Sequence, residues 1–105
     1  MIDVGLRNFT AEVLQHDGPV LVDFYSPTCG PCRAQLPILQ QLELEGHKVV
    51  KLDVTEEPEL AVHYQVSAVP TLLVFQKGNV VSNFRGLQPK QRLAEALESA
   101  AVLSA

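Results

Sequence analysis

The chain has 105 residues, 47% of them hydrophobic and 19% charged, with a formal net charge of −4. That length suits one domain, 1–105, and the apolar fraction is enough for a packed core, which sets aside intrinsic disorder and a scaffold held by disulfides alone. The 8 basic residues are scattered and outnumbered by 12 acidic ones, so nothing resembles a phosphate-tracking surface and nucleic acid is excluded as a ligand.

Met1-Ile2-Asp3-Val4 is not a basic segment leading into an apolar one, and no apolar stretch approaches the roughly 20 residues of a membrane span. A cytoplasmic protein with no membrane partner is expected, and, with no interface stripe in evidence, a monomer. Ile2 to Leu6 suits a short edge strand. Asn8 can cap a helix running through Asp17, with Phe9, Val13 and Leu14 on one face, before Asp17-Gly18-Pro19 breaks the chain. Val20-Leu21-Val22-Asp23-Phe24-Tyr25 is almost continuously apolar, the pattern of a central strand covered on both faces. Asp23 is the odd residue in it.

Helical spacing follows Cys32, with Leu36, Leu39 and Leu42 three apart, Pro37 as a kink and Gly46 as a stop. Val49 to Val54 reads as the next buried strand. Pro58 to Tyr64 reads as a short helix, with Glu56-Glu57-Pro58-Glu59 as its solvated start. Thr71 to Gln76 and Val80 to Phe84 flank Lys77-Gly78-Asn79 as a hairpin. After Pro89 a final amphipathic helix buries Leu93, Ala96, Leu97 and Ala100. The fold class is α/β: a mixed central sheet of about five strands flanked by about four helices, in three α/β/α layers.

The chain's 2 cysteines both lie in Cys29-Gly30-Pro31-Cys32, where the predicted central strand gives way to a helix. There the first thiol meets unpaired backbone N–H groups and the positive end of the helix dipole, which favour a thiolate. The second cysteine, one turn on, is close enough to form a disulfide with it, and proline is tolerated in a first helical turn. The pattern suits two-step thiol–disulfide exchange. Inert core cysteines and half of a zinc site are the other readings. Zinc would need further ligands, and His16, His47 and His63 lack a paired spacing. These histidines read as surface or helix-end residues. No metal is expected, and no cofactor beyond a redox-active Cys29–Cys32 disulfide.

Taken together, Val20 to Tyr25, Cys29-Gly30-Pro31-Cys32 and Val69-Pro70-Thr71-Leu72-Leu73-Val74-Phe75 resemble the thioredoxin family over essentially the whole chain. The resemblance implies a thioredoxin fold and a protein-disulfide reductase in which Cys29 attacks and Cys32 resolves. Its partners would be a thioredoxin reductase or similar electron donor and disulfide-containing clients. Asp23 matches the family's buried aspartate, whose pKa desolvation should raise and which can pass a proton to or from Cys32; Lys51 is its implied relay partner. Pro70 matches a cis-proline, although a proline opening a strand is ordinarily trans, and a cis bond would offer the Val69 backbone to a client. Gly86 matches a glycine beside the site, its other reading being a plain turn glycine. Thr28, Gly30, Pro31, Val69, Pro70 and Gly86 would form the client surface.

The chain departs from the family at Thr28, where tryptophan is usual, and holds no tryptophan. The Thr28 hydroxyl could help cap the helix, and a smaller residue there implies narrower or different partners. A rigid binding module with an incidental dithiol, and an oxidase or isomerase, are the competing readings. The Gly-Pro dipeptide speaks against the latter, and serine at both cysteines would separate a scaffold from a carrier.

Overall fold

The computed structural model describes residues 1–103 and places the apolar run Val20–Tyr25 as β2, at the centre of a five-stranded sheet. The other elements, in chain order, are β1 (Ile2–Asp3), a π-helical turn (Thr10–Leu14), α1 (Gly30–Leu44), β3 (Lys48–Asp53), α2 (Pro58–His63), β4 (Thr71–Gln76), β5 (Asn79–Arg85) and α3 (Lys90–Leu103). The strand order is β1-β3-β2-β4-β5. β3 lies parallel to both β1 and β2, while β4 is antiparallel to β2 and to β5. This is the mixed, helix-covered sheet expected, with the expected domain's last two residues outside the described ones.

Because side chains alternate across a strand, β2 feeds two cores. Val20, Val22 and Phe24 join Phe9, Val13, Val50, Leu52, Leu73 and Phe75 on one face. Leu21 joins Leu39, Leu42, Val49, Leu72, Val74, Leu93 and Leu97 on the other, under α1 and α3. Each fully buried side chain of this size contributes about 1.5–3 kcal/mol. The same alternation puts Asp23 on the α1 face, on the parity of Leu21. No helix among the described residues is long and apolar enough to cross a membrane.

Five local expectations are corrected. The helix expected from Asn8 through Asp17 is only a short turn, closed by an i→i+5 bond from the Gln15 N–H to the Thr10 carbonyl at 2.8 Å. Asn8 does not cap it, because its Oδ1 accepts from the Gly5 N–H at 2.9 Å, back along the chain. The first strand stops at Asp3 rather than Leu6. The hairpin turn is two residues, Lys77 and Gly78 with φ of 51° and 81°, and Asn79 already belongs to β5. Such a pair of positive φ angles matches the right-handed twist of the strands. Glu57 is not merely solvated: its Oε1 accepts from the Leu6 N–H at 2.7 Å, tying the chain after β1 to the start of α2.

Candidate active site

β2 ends at Tyr25, and the loop Ser26-Pro27-Thr28 turns the chain into α1 with Cys29 as N-cap, in extended conformation at φ −89° and ψ 116°. A capping residue normally offers an oxygen to the helix's free N–H groups. Here the Cys29 sulfur does so, Sγ accepting from the Cys32 N–H at 3.1 Å. The cap expected of Thr28 is therefore supplied by its neighbour, and Thr28 stands exposed in the loop. Pro31 occupies the first turn of α1 and Pro37 its interior.

Cys29 and Cys32 are joined as a disulfide with Cα atoms 5.2 Å apart. The two sulfurs differ in access: Cys32 is 6% exposed, whereas Cys29 is only half-buried and Gly30 and Pro31 are open to solvent. Across from them the Val69–Pro70 peptide is cis, and the Val69 carbonyl oxygen lies 3.8 Å from Cys29 Sγ. Gly86 is held beside this pair by its N–H, which donates to the Pro70 carbonyl at 2.8 Å. Its φ of +81° is in the left-handed region, and a Cβ there would meet no atom within 4 Å. Backbone conformation, not crowding, is what calls for glycine.

Behind the disulfide, a cleft of about 130 Å³ is lined by Asp23, Tyr25, Cys32, Arg33, Leu36 and Lys51 among others. Asp23 is 3% exposed and its Oδ1 has no hydrogen-bond partner. Burial pushes its carboxyl up from 3.8 to about 7, against the opposing pull of Lys51. Lys51 stands opposite Asp23 in register. Its ammonium does not reach that carboxylate, however; it lies 3.8 Å from Asp3 Oδ1. The Tyr25 hydroxyl donates to the same Asp3 oxygen at 3.4 Å. Burial first, then the Asp3 and Asp53 carboxylates, push that phenol up to about 12, so it remains a neutral donor.

Two contributors escaped the sequence. Asp3 carries no motif, and only the strand order brings it here. Gln35 looks like one more polar helix residue, yet it is fully buried and clamps the loop after Gly86. Its Oε1 accepts from the Gln88 N–H at 2.8 Å and its Nε2 donates to the Gln88 carbonyl at 3.0 Å. Gln35→Ala strands both backbone groups and is expected to lower stability by about 2–3 kcal/mol, read from urea unfolding. Among the described residues, no group of three or more His, Cys, Asp or Glu side chains is arranged to hold a metal. His16 and His47 line a separate hollow, and His63 packs edge-on to Tyr64 at 4.7 Å.

The thioredoxin family model matches residues 1–99. Thioredoxin 1 of a Nostoc species is 43% identical over 93 residues, which is 86% of this chain and 87% of that protein. Thioredoxin of Staphylococcus aureus is 45% identical over 101 residues, 93% of this chain and 95% of its own. Among solved structures, a point mutant of thioredoxin from Halobacterium salinarum superimposes with a TM-score of 0.88 at 35% identity, covering 95% of this chain and 89% of that one.

Proposed function

Because the chain belongs to the thioredoxin family, we propose that it reduces client disulfides, with Cys29 as the attacking sulfur and Cys32 as the resolving one. The observation that carries this reading is the unequal pair at the head of α1: an accessible sulfur facing a backbone N–H, and a buried one a turn behind it. In the dithiol form, the Cys29 thiolate attacks one sulfur of a client disulfide. A mixed disulfide forms and the client's other sulfur leaves as a thiolate. Cys32 then gives its proton to the Asp23 carboxylate and attacks Cys29 Sγ. The bond between client and Cys29 breaks, the Cys29–Cys32 bond forms, and the client's second sulfur departs. Two electrons have moved from this protein to the client. A thioredoxin reductase, or a donor like it, returns them with the protons, in the cytoplasm.

The client docks on Thr28, Gly30, Pro31, Val69, Pro70 and Gly86. An extended client segment pairs with the Val69 backbone, as an added strand does. Thr28 leaves this surface smaller and more polar beside Cys29 than tryptophan would, which favours narrower partners. Lys51 assists Asp23 as a charge nearby rather than as a bonded partner.

Equilibration of the Cys29/Cys32 pair against defined thiol–disulfide buffers tests the direction of electron flow. A reductant should come to equilibrium near about −270 mV, whereas a value near about −120 mV would make the protein a disulfide donor and overturn the assignment.

A further inference from the structure

Three carboxylate and ammonium side chains stand in a row across three neighbouring strands. Asp3 of β1 pairs in register with Lys51 of β3, and Lys51 pairs in register with Asp23 of β2. In-register residues project from the same face, so one lysine stands between two acids. Asp23 is the buried member of the row, at the foot of the cleft shared with Cys32. Asp3 is the outer one, its side chain 60% exposed against 30% for Lys51. The lysine sits with the outer acid, at 3.8 Å, and its ammonium lies 5.6 Å from the centroid of the Tyr25 ring. The Tyr25 hydroxyl donates to the same Asp3 oxygen.

We infer that Asp3 is a positioning residue for the dithiol reaction: it keeps the Lys51 ammonium at the outer mouth of the cleft and so sets how strongly the lysine supports a charge on Asp23. This rests on the proton transfer between Cys32 and Asp23 proposed above. An exposed ion pair of this kind adds little to stability, so folding alone gives no reason for its geometry. Its effect falls on the inner acid. Neutralising Asp3 removes a negative charge and leaves Lys51 free to lean inward, and both changes favour the Asp23 carboxylate.

Other charged or titratable groups stand around this row, among them Arg7 and Glu57, which line a hollow with Asp3, Tyr25, Asp53 and Glu56. Cys32 and Arg33 come from α1, with the Arg33 guanidinium donating to the Pro27 carbonyl at 3.1 Å. Asp53 and Glu56, at and beyond the end of β3, act on Tyr25. From β4, apolar Leu72 stands opposite Asp23.

The test is a carboxyl-carbon NMR titration of Asp23 in the oxidised protein, comparing wild type, Asp3→Asn, Lys51→Met and the double variant. Asp3→Asn should lower the Asp23 midpoint by about one pH unit, and adding it to Lys51→Met should move the midpoint much less. Asp3→Glu, which keeps the charge, should stay near wild type. An unmoved midpoint in Asp3→Asn, an equal fall in the Lys51→Met background, or a fall in Asp3→Glu would each overturn the role assigned to Asp3. The titration needs no catalysis. Failure of the wild-type dithiol to reduce a disulfide-bonded protein such as insulin would instead remove the proposed function.

Discussion

Cys29→Ser is expected to abolish reduction of insulin disulfides, a loss of at least about a thousandfold that brings the rate to background. A serine hydroxyl does not ionise near neutral pH and forms no disulfide, and Cys32, at 6% exposure, cannot meet a client in its place. Cys32→Ser should behave differently. Its Cys29 retains its access and the backbone N–H that faces Sγ at 3.1 Å, so the first exchange proceeds and the second does not. The variant should accumulate a stoichiometric mixed disulfide with its client, visible as a non-reducing gel adduct that dithiothreitol releases. If Cys29→Ser traps such an adduct instead, the roles of the two sulfurs are reversed.

Asp23→Ala is expected to make the protein more stable at alkaline pH while slowing its resolving step. The native carboxyl titrates at about 7 against 3.8 for the free group, because it is desolvated. Between those values the unfolded chain has released the proton and the folded chain still holds it. Stability therefore falls as pH rises through this window, by up to about 1.4 kcal/mol per unit. Integrated, the charged carboxylate lowers stability at pH 8 by about 4 kcal/mol relative to pH 3. Alanine removes that dependence and orphans no partner, since Oδ1 has none. The difference in unfolding free energy between variant and wild type should thus grow by about 4 kcal/mol between pH 3 and pH 8 in urea titrations. Groups common to both proteins cancel in that difference. A flat difference would mean that burial leaves the Asp23 carboxyl titrating as it does in the unfolded chain. The accompanying slow resolution is the expected trade of activity for stability at a site built around a buried charge.

Much of the architecture was readable because it is written in local periodicities. The apolar run at Val20–Tyr25 and the three-spaced leucines of α1 each act over a few residues and became the expected strand and helix, while the hairpin expected around Lys77-Gly78-Asn79 formed with a turn of two residues, Lys77 and Gly78. The turn at Thr10–Leu14 is shorter than the helix the sequence implies, because the spacing of Phe9, Val13 and Leu14 fits either form. The turn ends at Leu14, where the Gln15 N–H closes onto the Thr10 carbonyl in an i→i+5 bond that the apolar spacing does not encode. Pro70 shows the limit of local reading in another way: its residue type alone favoured a trans bond, and only the resemblance implied the cis bond found.

By itself the sequence determined that a dithiol would sit where a buried strand meets a helix, with an acid in that strand, because hydrophobic period and helix-start chemistry are properties of neighbouring residues. Tertiary structure alone decided which sulfur is exposed, which carboxylate holds Lys51, and that Gln35 clamps Gln88 and Glu57 the chain after β1. Those contacts join residues about 50 positions apart in three of these cases, from Asp3 to Lys51, Leu6 to Glu57 and Gln35 to Gln88. They depend on the strand order β1-β3-β2 and on the packing of α1 over it. No local pattern encodes such a pairing, because it arises only when strands distant in sequence bury their apolar faces together.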